Sequence, residues 1–293
     1  VLVQTLYSGI SRGTERIVSE GRVPLSEYER MRGPHQEGDF TFPVKYGYCT
    51  VGRIAEGERS GEIVFALHPH QESFRLPEDA LTALPAEVPA SRAVLAANME
   101  TALNILWDSQ AGAGDTVAVV GAGVVGSLVG YLAARLPGAQ VTIVDINPDR
   151  HRLAETLGCH FVTPSKASGE YDVVVHTSAT SEGLETALSL AGQEATVVEA
   201  SWHGDASVNV PLGGAFHAKR LTLVSSQVGS IPRSRTPRWN HRRRLTAALE
   251  LLKDPALGGL ISGETAFSQL PGEYGTILND PATLCHRVAY PSS

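Results

Sequence analysis

The chain has little cysteine, no apolar run long enough to cross a membrane and no excess of positive charge. Its three cysteines, Cys49, Cys159 and Cys285, are too few and too scattered for a disulfide framework or a structural zinc knuckle, and a reducing cytoplasm is the expected compartment. The longest apolar stretches are broken by glycine or charge before the roughly 18 residues of a spanning helix, so no membrane partner is expected. A formal net charge of −7 argues against a general nucleic-acid partner. Internal repeats and low-complexity segments are also absent. What is present is an ordinary globular composition, 42% apolar and 19% charged, in 293 residues, enough for about two domains. The opening VLVQTLYSGIS already reads as the middle of a strand, so a further segment is expected upstream, and whether it carries a leader is open.

Two textures divide the sequence. Residues 1 to about 97 are rich in turn residues and short β runs, at Val1 to Leu6, Tyr48 to Ile54 and Ile63 to Leu67, with no long helical pattern before Ser91. From Thr116, strands alternate with helices, the mark of a parallel sheet. Strands are expected at Val117 to Val120, Val141 to Asp145, Phe161 to Thr163, Asp172 to His176, Ala195 to Glu199 and Leu221 to Ser225. Helices are expected at Val124 to Leu136, Pro148 to Leu157 with Gly158 as its stop, Ser181 to Leu190 with Gly192 as its stop, and Arg242 to Leu252. From about residue 255 short strands and loops return, which suggests that the tail rejoins the first domain.

The stretch from 117 to 145, VAVVGAGVVGSLVGYLAARLPGAQVTIVD, carries the strongest signal of chemistry. It reads as strand, glycine turn, helix and strand. Gly121 permits the tight turn, Gly123 lets backbone approach a pyrophosphate, and Gly126 lets the helix pack on the sheet. The helix start at Val124, Val125 and Gly126 offers unpaired N–H groups to phosphate. Asp145 closes the second strand about 20 residues after the last glycine, where a carboxylate accepts bonds from an adenosine ribose. That carboxylate repels the extra phosphate of NADP, so NAD is favoured, while Arg150 close by keeps NADP open. The alternative is a glycine turn in an α/β domain without a cofactor.

An irregular β domain, a dinucleotide unit and a returning tail together resemble the medium-chain dehydrogenase/reductase family. The resemblance rests on SGISRGTE at 8 to 15, YGYCTVG at 46 to 52, the glycine turn, and VDIN at 144 to 147. It implies an α/β fold: a GroES-like β-rich catalytic domain over 1–97, a Rossmann NAD-binding domain over 98–254, and a return to the catalytic domain over 255–293. It implies hydride transfer between nicotinamide and a small-molecule alcohol or carbonyl substrate, by a homo-oligomer, dimer or tetramer. Zinc-dependent members typically read SGxCxTD and GHE at the first two anchors. Here Ser11 stands for the ligand cysteine, Tyr48 for the ligand histidine and Cys49 for the glutamate, and the third ligand position falls near Ala97, with Glu100 close. A catalytic zinc wants three ligands from His, Cys, Asp and Glu, so a zinc-independent site is expected. SGIS-GTE with GY in place of GH is similar to the bacteriochlorophyllide a dehydrogenase branch, which oxidises a hydroxyethyl group on a tetrapyrrole. Two other readings stay open: a zinc dehydrogenase with rearranged ligands, and an inactive dinucleotide-binding sensor or scaffold.

Without zinc, a hydroxyl at an old ligand position can do the proton work, with Tyr48 the first candidate and Ser11 the second. A phenol titrates near 10, so Tyr48 needs a nearby cation to act as a base at neutral pH and none to act as an acid. Its other reading is a packed aromatic in a β hairpin. Arg12 is a candidate for the cofactor pyrophosphate, or else a surface arginine paired with Glu15. Ligands of an open α/β sheet collect beyond the carboxyl ends of its strands, which points to His176, Thr177 and Ser178, to Ser201 to His203, and to Ser225 to Gln227. His176 reads equally as a satisfied strand-end histidine. His68 and His70 could join Cys49 or Glu100 in a displaced metal site, though exposed or substrate-facing histidines are the simpler reading. Arg233, Arg235, Arg238 and Arg242 to Arg244 form a basic cluster, either an anion site or a solvated helix start.

Overall fold

The computed structural model describes residues 1–291. Two compact units divide them: residues 1–99 together with the segment from 242 onward, and residues 100–241. The second boundary thus lies ahead of the expected residue 254.

The first unit begins with β1 (Leu2–Ser11), which runs directly into α1 (Arg12–Ser19). Short strands follow: β2 (Glu37–Gly38), β3 (Val44–Lys45), β4 (Thr50–Ile54), β5 (Ile63–Ala66), β6 (Ser73–Arg75) and β7 (Thr82–Ala83), then α2 (Ala90–Ala93) and α3 (Ala96–Ser109), which runs from the first unit into the second. Helix α1 was not anticipated by the expectation of no long helical pattern before Ser91. It has only eight residues, contains Gly13, and buries an acid, Glu15, beside Ile17 and Val18, so glycine and a charge interrupt the apolar period. Tyr48 and Cys49 also precede their strand rather than open it.

In the second unit six strands, β8 (Thr116–Val120), β9 (Gln140–Val144), β10 (His160–Val162), β11 (Tyr171–His176), β12 (Ala191–Glu199) and β13 (Thr222–Ser225), form one sheet in the order β10-β9-β8-β11-β12-β13. Every pairing in it is parallel. Helices α4 (Val124–Ala133), α5 (His151–Thr156) and α6 (Ser181–Leu190) alternate with the strands, the doubly wound arrangement of dinucleotide-binding sheets. Thr180 caps α6 by accepting the Gly183 N–H at 3.0 Å. Gly192 does not stop this helix. Ala191 leaves α6 in an extended conformation and begins β12, because the segment is buried and paired to Tyr171. Ala118, Val120, Val174, Val197, Leu184 and Leu188 form a shared core between sheet and helix.

The chain then returns to the first unit. Beyond α7 (His241–Leu251), β14 (Ile261–Ala266), α8 (Leu270–Asn279) and β15 (Cys285–Ala289) complete a seven-stranded sheet in the order β14-β15-β1-β4-β5-β7, with β6 also on β1. Strand β15 pairs antiparallel with β1 in the register Ser8↔Val288 and Ser11↔Cys285. Ile10, Leu270, Ile277, Leu278, Val288 and Tyr290 form a core around that pairing. Among the described residues, no helix is long and apolar enough to cross a membrane.

Candidate active site

In the 100–241 unit the glycine turn joins β8 to α4. Gly121 has φ +111°, and a Cβ there would lie 2.8 Å from the Ser178 backbone nitrogen. At Gly126 the constraint is contact, since a Cβ would meet the Gly121 carbonyl oxygen at 1.9 Å. Gly123 is exposed, with no atom within 4 Å of a notional Cβ. It begins α4 with no side-chain cap, so the N–H groups of Val124, Val125 and Gly126 face an open cradle fit for phosphate. Asp145, half-buried at the end of β9, accepts the Ala122 N–H at 2.6 Å and the Asn147 N–H at 2.8 Å. These bonds fix the carboxylate against the turn. Ile146 beside it is 84% exposed, an apolar surface that a flat aromatic ring can cover.

His176 ends β11 and is fully buried. Its Nδ1 donates to Glu199 Oε2 at 2.6 Å and its Nε2 accepts the Ser178 hydroxyl at 2.7 Å. Both ring nitrogens are thereby engaged, and Ser178, unlike His176, is only half-buried. Burial opposes the charge on Glu199, but hydrogen bonds from His176 and Ser201 outweigh it and hold the carboxyl below its ordinary pKa. Ser225 is exposed at the end of β13, while Ser226 beside it donates to Asp108 at 2.6 Å.

In the other unit, Tyr48 lies half-buried between β3 and β4 with hydrogen bonds to the hydroxyls of Ser11 and Thr14. Burial pushes its phenol well above 10, and the neighbouring Cys49 and Tyr46 add to that shift. The group is therefore a proton donor at neutral pH. Gly47 permits this turn, with φ +122° and a Cβ position 2.9 Å from the His70 ring. Asn98 donates its amide to Ser11 Oγ at 3.2 Å, and its own Oδ1 is buried without a hydrogen-bond partner. Tyr48, Ser11, Thr14 and Asn98 thus form one hydroxyl and amide cluster with a vacant acceptor.

A second network underlies it. Glu15, buried on α1, accepts the Ser11 N–H at 2.8 Å, His70 Nε2 at 3.1 Å and the Tyr274 hydroxyl at 2.8 Å. His70 Nδ1 accepts from Ser8 at 2.7 Å, and Ser8 Oγ lies 2.9 Å from the Tyr290 hydroxyl. Glu15 is therefore not the surface partner of Arg12, whose Nε donates to the Leu278 carbonyl at 3.0 Å. His68 stacks on Phe74 at 3.8 Å and donates to the Pro69 carbonyl. His68 is buried and the His70 side chain is 9% exposed, each with partners of its own, so the exposed reading of them does not hold.

These residues do not suit a catalytic zinc of the usual kind. The donors at the expected positions are the hydroxyls of Ser11 and Tyr48 and the buried thiol of Cys49, and Ala97 offers no donor side chain. Among the described residues, the group of three His, Cys, Asp or Glu side chains with converging ligand atoms is His176, Glu199 and His203, in the other unit. Thr14, Asn98 and Glu199 were not singled out by sequence, and Glu15 entered only as a surface partner of Arg12. An asparagine in the apolar run that opens α3 and an acid in the first turn of α1 were the available signals.

Comparison with known proteins agrees with this architecture. Residues 109–200 match the family described as alanine dehydrogenase/PNT, C-terminal domain. The chain is 28% identical to (R,R)-butanediol dehydrogenase of Bacillus subtilis, over 54% of this chain and 55% of that protein. It spans about half the length of the curated relatives it matches. L-idonate 5-dehydrogenase of Escherichia coli superposes with a TM-score of 0.78 at 16% identity, over 98% of this chain and 90% of that one. An alcohol dehydrogenase of E. coli CFT073 complexed with NADH superposes with a TM-score of 0.76 at 16% identity, over 99% and 91%. The shared fold is a GroES-like unit with a Rossmann unit.

Proposed function

We propose that this chain is a member of the zinc-type alcohol dehydrogenase-like group of the medium-chain dehydrogenase/reductase family and an NAD-preferring oxidoreductase acting on a small alcohol or carbonyl without a catalytic zinc. The observation that carries the reading is the uncapped start of α4 above Gly123, with Asp145 fixed beside it. When bound, a nicotinamide dinucleotide supplies the hydride-transfer chemistry. The N–H groups of Val124, Val125 and Gly126 hold phosphate, and Asp145, whose lone pairs exceed its two backbone bonds, accepts from a ribose hydroxyl. Arg12 remains a candidate pyrophosphate contact on the strength of its charge. His176 positions Ser178 rather than touching the cofactor itself, and Ser225 offers an exposed hydroxyl at the end of its strand.

Tyr48 serves as the acid that protonates a carbonyl oxygen in the reductive direction. Ser11 and Thr14 orient the phenol, and the vacant Oδ1 of Asn98 accepts a substrate hydroxyl or amide N–H. Assembly as a dimer or tetramer and a cytoplasmic location complete the proposal; the three cysteines are free and buried, as a reducing compartment allows. The tetrapyrrole resemblance rests on its short motifs alone and does not enter this reading.

Fluorescence titration of the purified protein with NADH and NADPH, followed by turnover assays on an alcohol and aldehyde panel, tests the reading. NADH binding with turnover that persists after metal removal is the expected result. Tight NADH binding with no turnover across the panel would favour the sensor. Failure to bind either dinucleotide would reject the proposal.

A further inference from the structure

We propose that His176, Glu199 and His203 form a binding site for a divalent transition-metal ion, of the zinc class, within the dinucleotide-binding unit. Their ligand atoms all lie within 4.8 Å of one another. Glu199 Oε2 is 2.6 Å from His176 Nδ1 and 3.6 Å from His203 Nε2. Two donors bound tetrahedrally at zinc distances sit about 3.3 Å apart, so small side-chain rotations bring the three onto one ion. Two imidazoles and a carboxylate are a donor set suited to zinc, cobalt(II) or iron(II), and they leave positions open for water or a ligand.

Three features separate this cluster from an incidental meeting of side chains. First, the strands hold it: His176 and Glu199 are paired residues of adjacent parallel strands, and His203 follows four residues later. Second, the groups behind the ligands are in place. Ser201 N–H donates to Glu199 Oε1 at 2.8 Å, leaving Oε2 for the ion, and Ser178 Oγ lies 2.7 Å from His176 Nε2. With Nδ1 on a metal, the ring carries its proton on Nε2 and donates it to Ser178, the arrangement that fixes metal-binding histidines. Gly183 presses on this pair, since a Cβ there would fall 2.0 Å from Ser178 Oγ. Third, His203 Nε2 is buried with no hydrogen-bond partner, and Glu199 Oε2 at 3.6 Å is beyond hydrogen-bond reach. An unsatisfied buried nitrogen is costly, and an ion between these atoms satisfies it. Side-chain exposures of 0% for His176, 18% for Glu199 and 16% for His203 describe a largely dry site with one accessible edge.

The inference is independent of dinucleotide binding and is tested on the whole chain. Protein stripped with EDTA and dialysed is titrated with cobalt(II), read by its visible d–d absorption, and with zinc by calorimetry. The expected result is one ion per chain, with affinity lowered at least 100-fold in His203→Ala and in Glu199→Gln. Ser178→Ala should lower it roughly 10- to 100-fold. Circular dichroism establishes that each variant is folded, and Tyr48→Phe should bind as the wild type does. No ion bound by the folded wild type, or undiminished binding by folded His203→Ala and Glu199→Gln, overturns the proposal. Loss of binding in Tyr48→Phe with retention in His203→Ala also overturns it, by placing the ion in the other unit.

Discussion

Glu15 Oε2 accepts the Tyr274 hydroxyl at 2.8 Å across 259 positions of sequence, tying α1 to α8 through a carboxylate with no solvent exposure. The same group holds the Ser11 backbone and His70, so one buried acid fixes the strand end that presents Ser11 and the His70 ring that lies against Gly47. Charges are buried at a high desolvation cost, which these three donors offset.

Removing that acid leaves three buried donors unpaired. Glu15→Ala is expected to destabilise the fold by about 3 kcal/mol, and Glu15→Gln by clearly less, because an amide oxygen still accepts. Urea unfolding of both variants checks this. Wild-type stability in Glu15→Ala would show that the network holds nothing.

Tyr48→Phe keeps the ring and deletes the proton. If Tyr48 is the acid, kcat for carbonyl reduction falls roughly 100- to 10,000-fold with little change in KM. Because burial holds the phenol protonated well above pH 10, this group should impose no loss of reductive rate from pH 6 to 10. A wild-type rate in the phenylalanine variant would remove Tyr48 from the mechanism.

At Gly126 the helix meets the Gly121 carbonyl too closely for any side chain. Gly126→Ala must push α4 away from the turn, and we expect both a lower melting temperature and at least a 10-fold weaker NADH affinity by fluorescence. Unchanged affinity would place the dinucleotide elsewhere.

Asp145 bonds to two backbone N–H groups, so its loss has a structural as well as a binding consequence. Asp145→Ala is expected to cost about 1–3 kcal/mol of stability and to weaken NAD more than NADP. Paired titrations decide the point: equal loss for both cofactors would mean that the carboxylate does not face the ribose.

Acid should expose the contribution of Glu199. Its folded pKa is lowered below the ordinary 4.5, so the unfolded chain binds its proton first as pH falls. The stabilisation is full above that ordinary value and fades from about pH 4.5 downward, as the pH passes through the folded pKa. Glu199→Gln should therefore lose stability at pH 7 and show a flatter acid limb in pH-dependent unfolding. An identical acid limb in variant and wild type would contradict the assignment.

Much of the dinucleotide-binding unit was legible because its determinants are local. Strand, glycine turn and helix follow one another within a few residues, and the positions of Gly121, Gly123 and Gly126 are dictated by backbone conformation and close approach. The helix over Arg12–Ser19 was not legible: it is short, contains a glycine, and packs with a buried charge whose partners come from distant segments. Ser11 and Tyr48 could be marked from the family's motifs that the sequence resembles, but Asn98 and its vacant carbonyl could not, since nothing local distinguishes a buried asparagine with one unmet bond from a solvated one.

By itself the sequence determined the order of strands and helices in the dinucleotide-binding unit and the place of the glycine turn, because periodicity and turn chemistry act over a few residues. Only the tertiary structure decided that Glu15 is buried with Tyr274 and that His176 meets Glu199 and His203. Hydrogen bonding and desolvation act through space, and those partners are chosen by strand register and chain return rather than by neighbours in sequence.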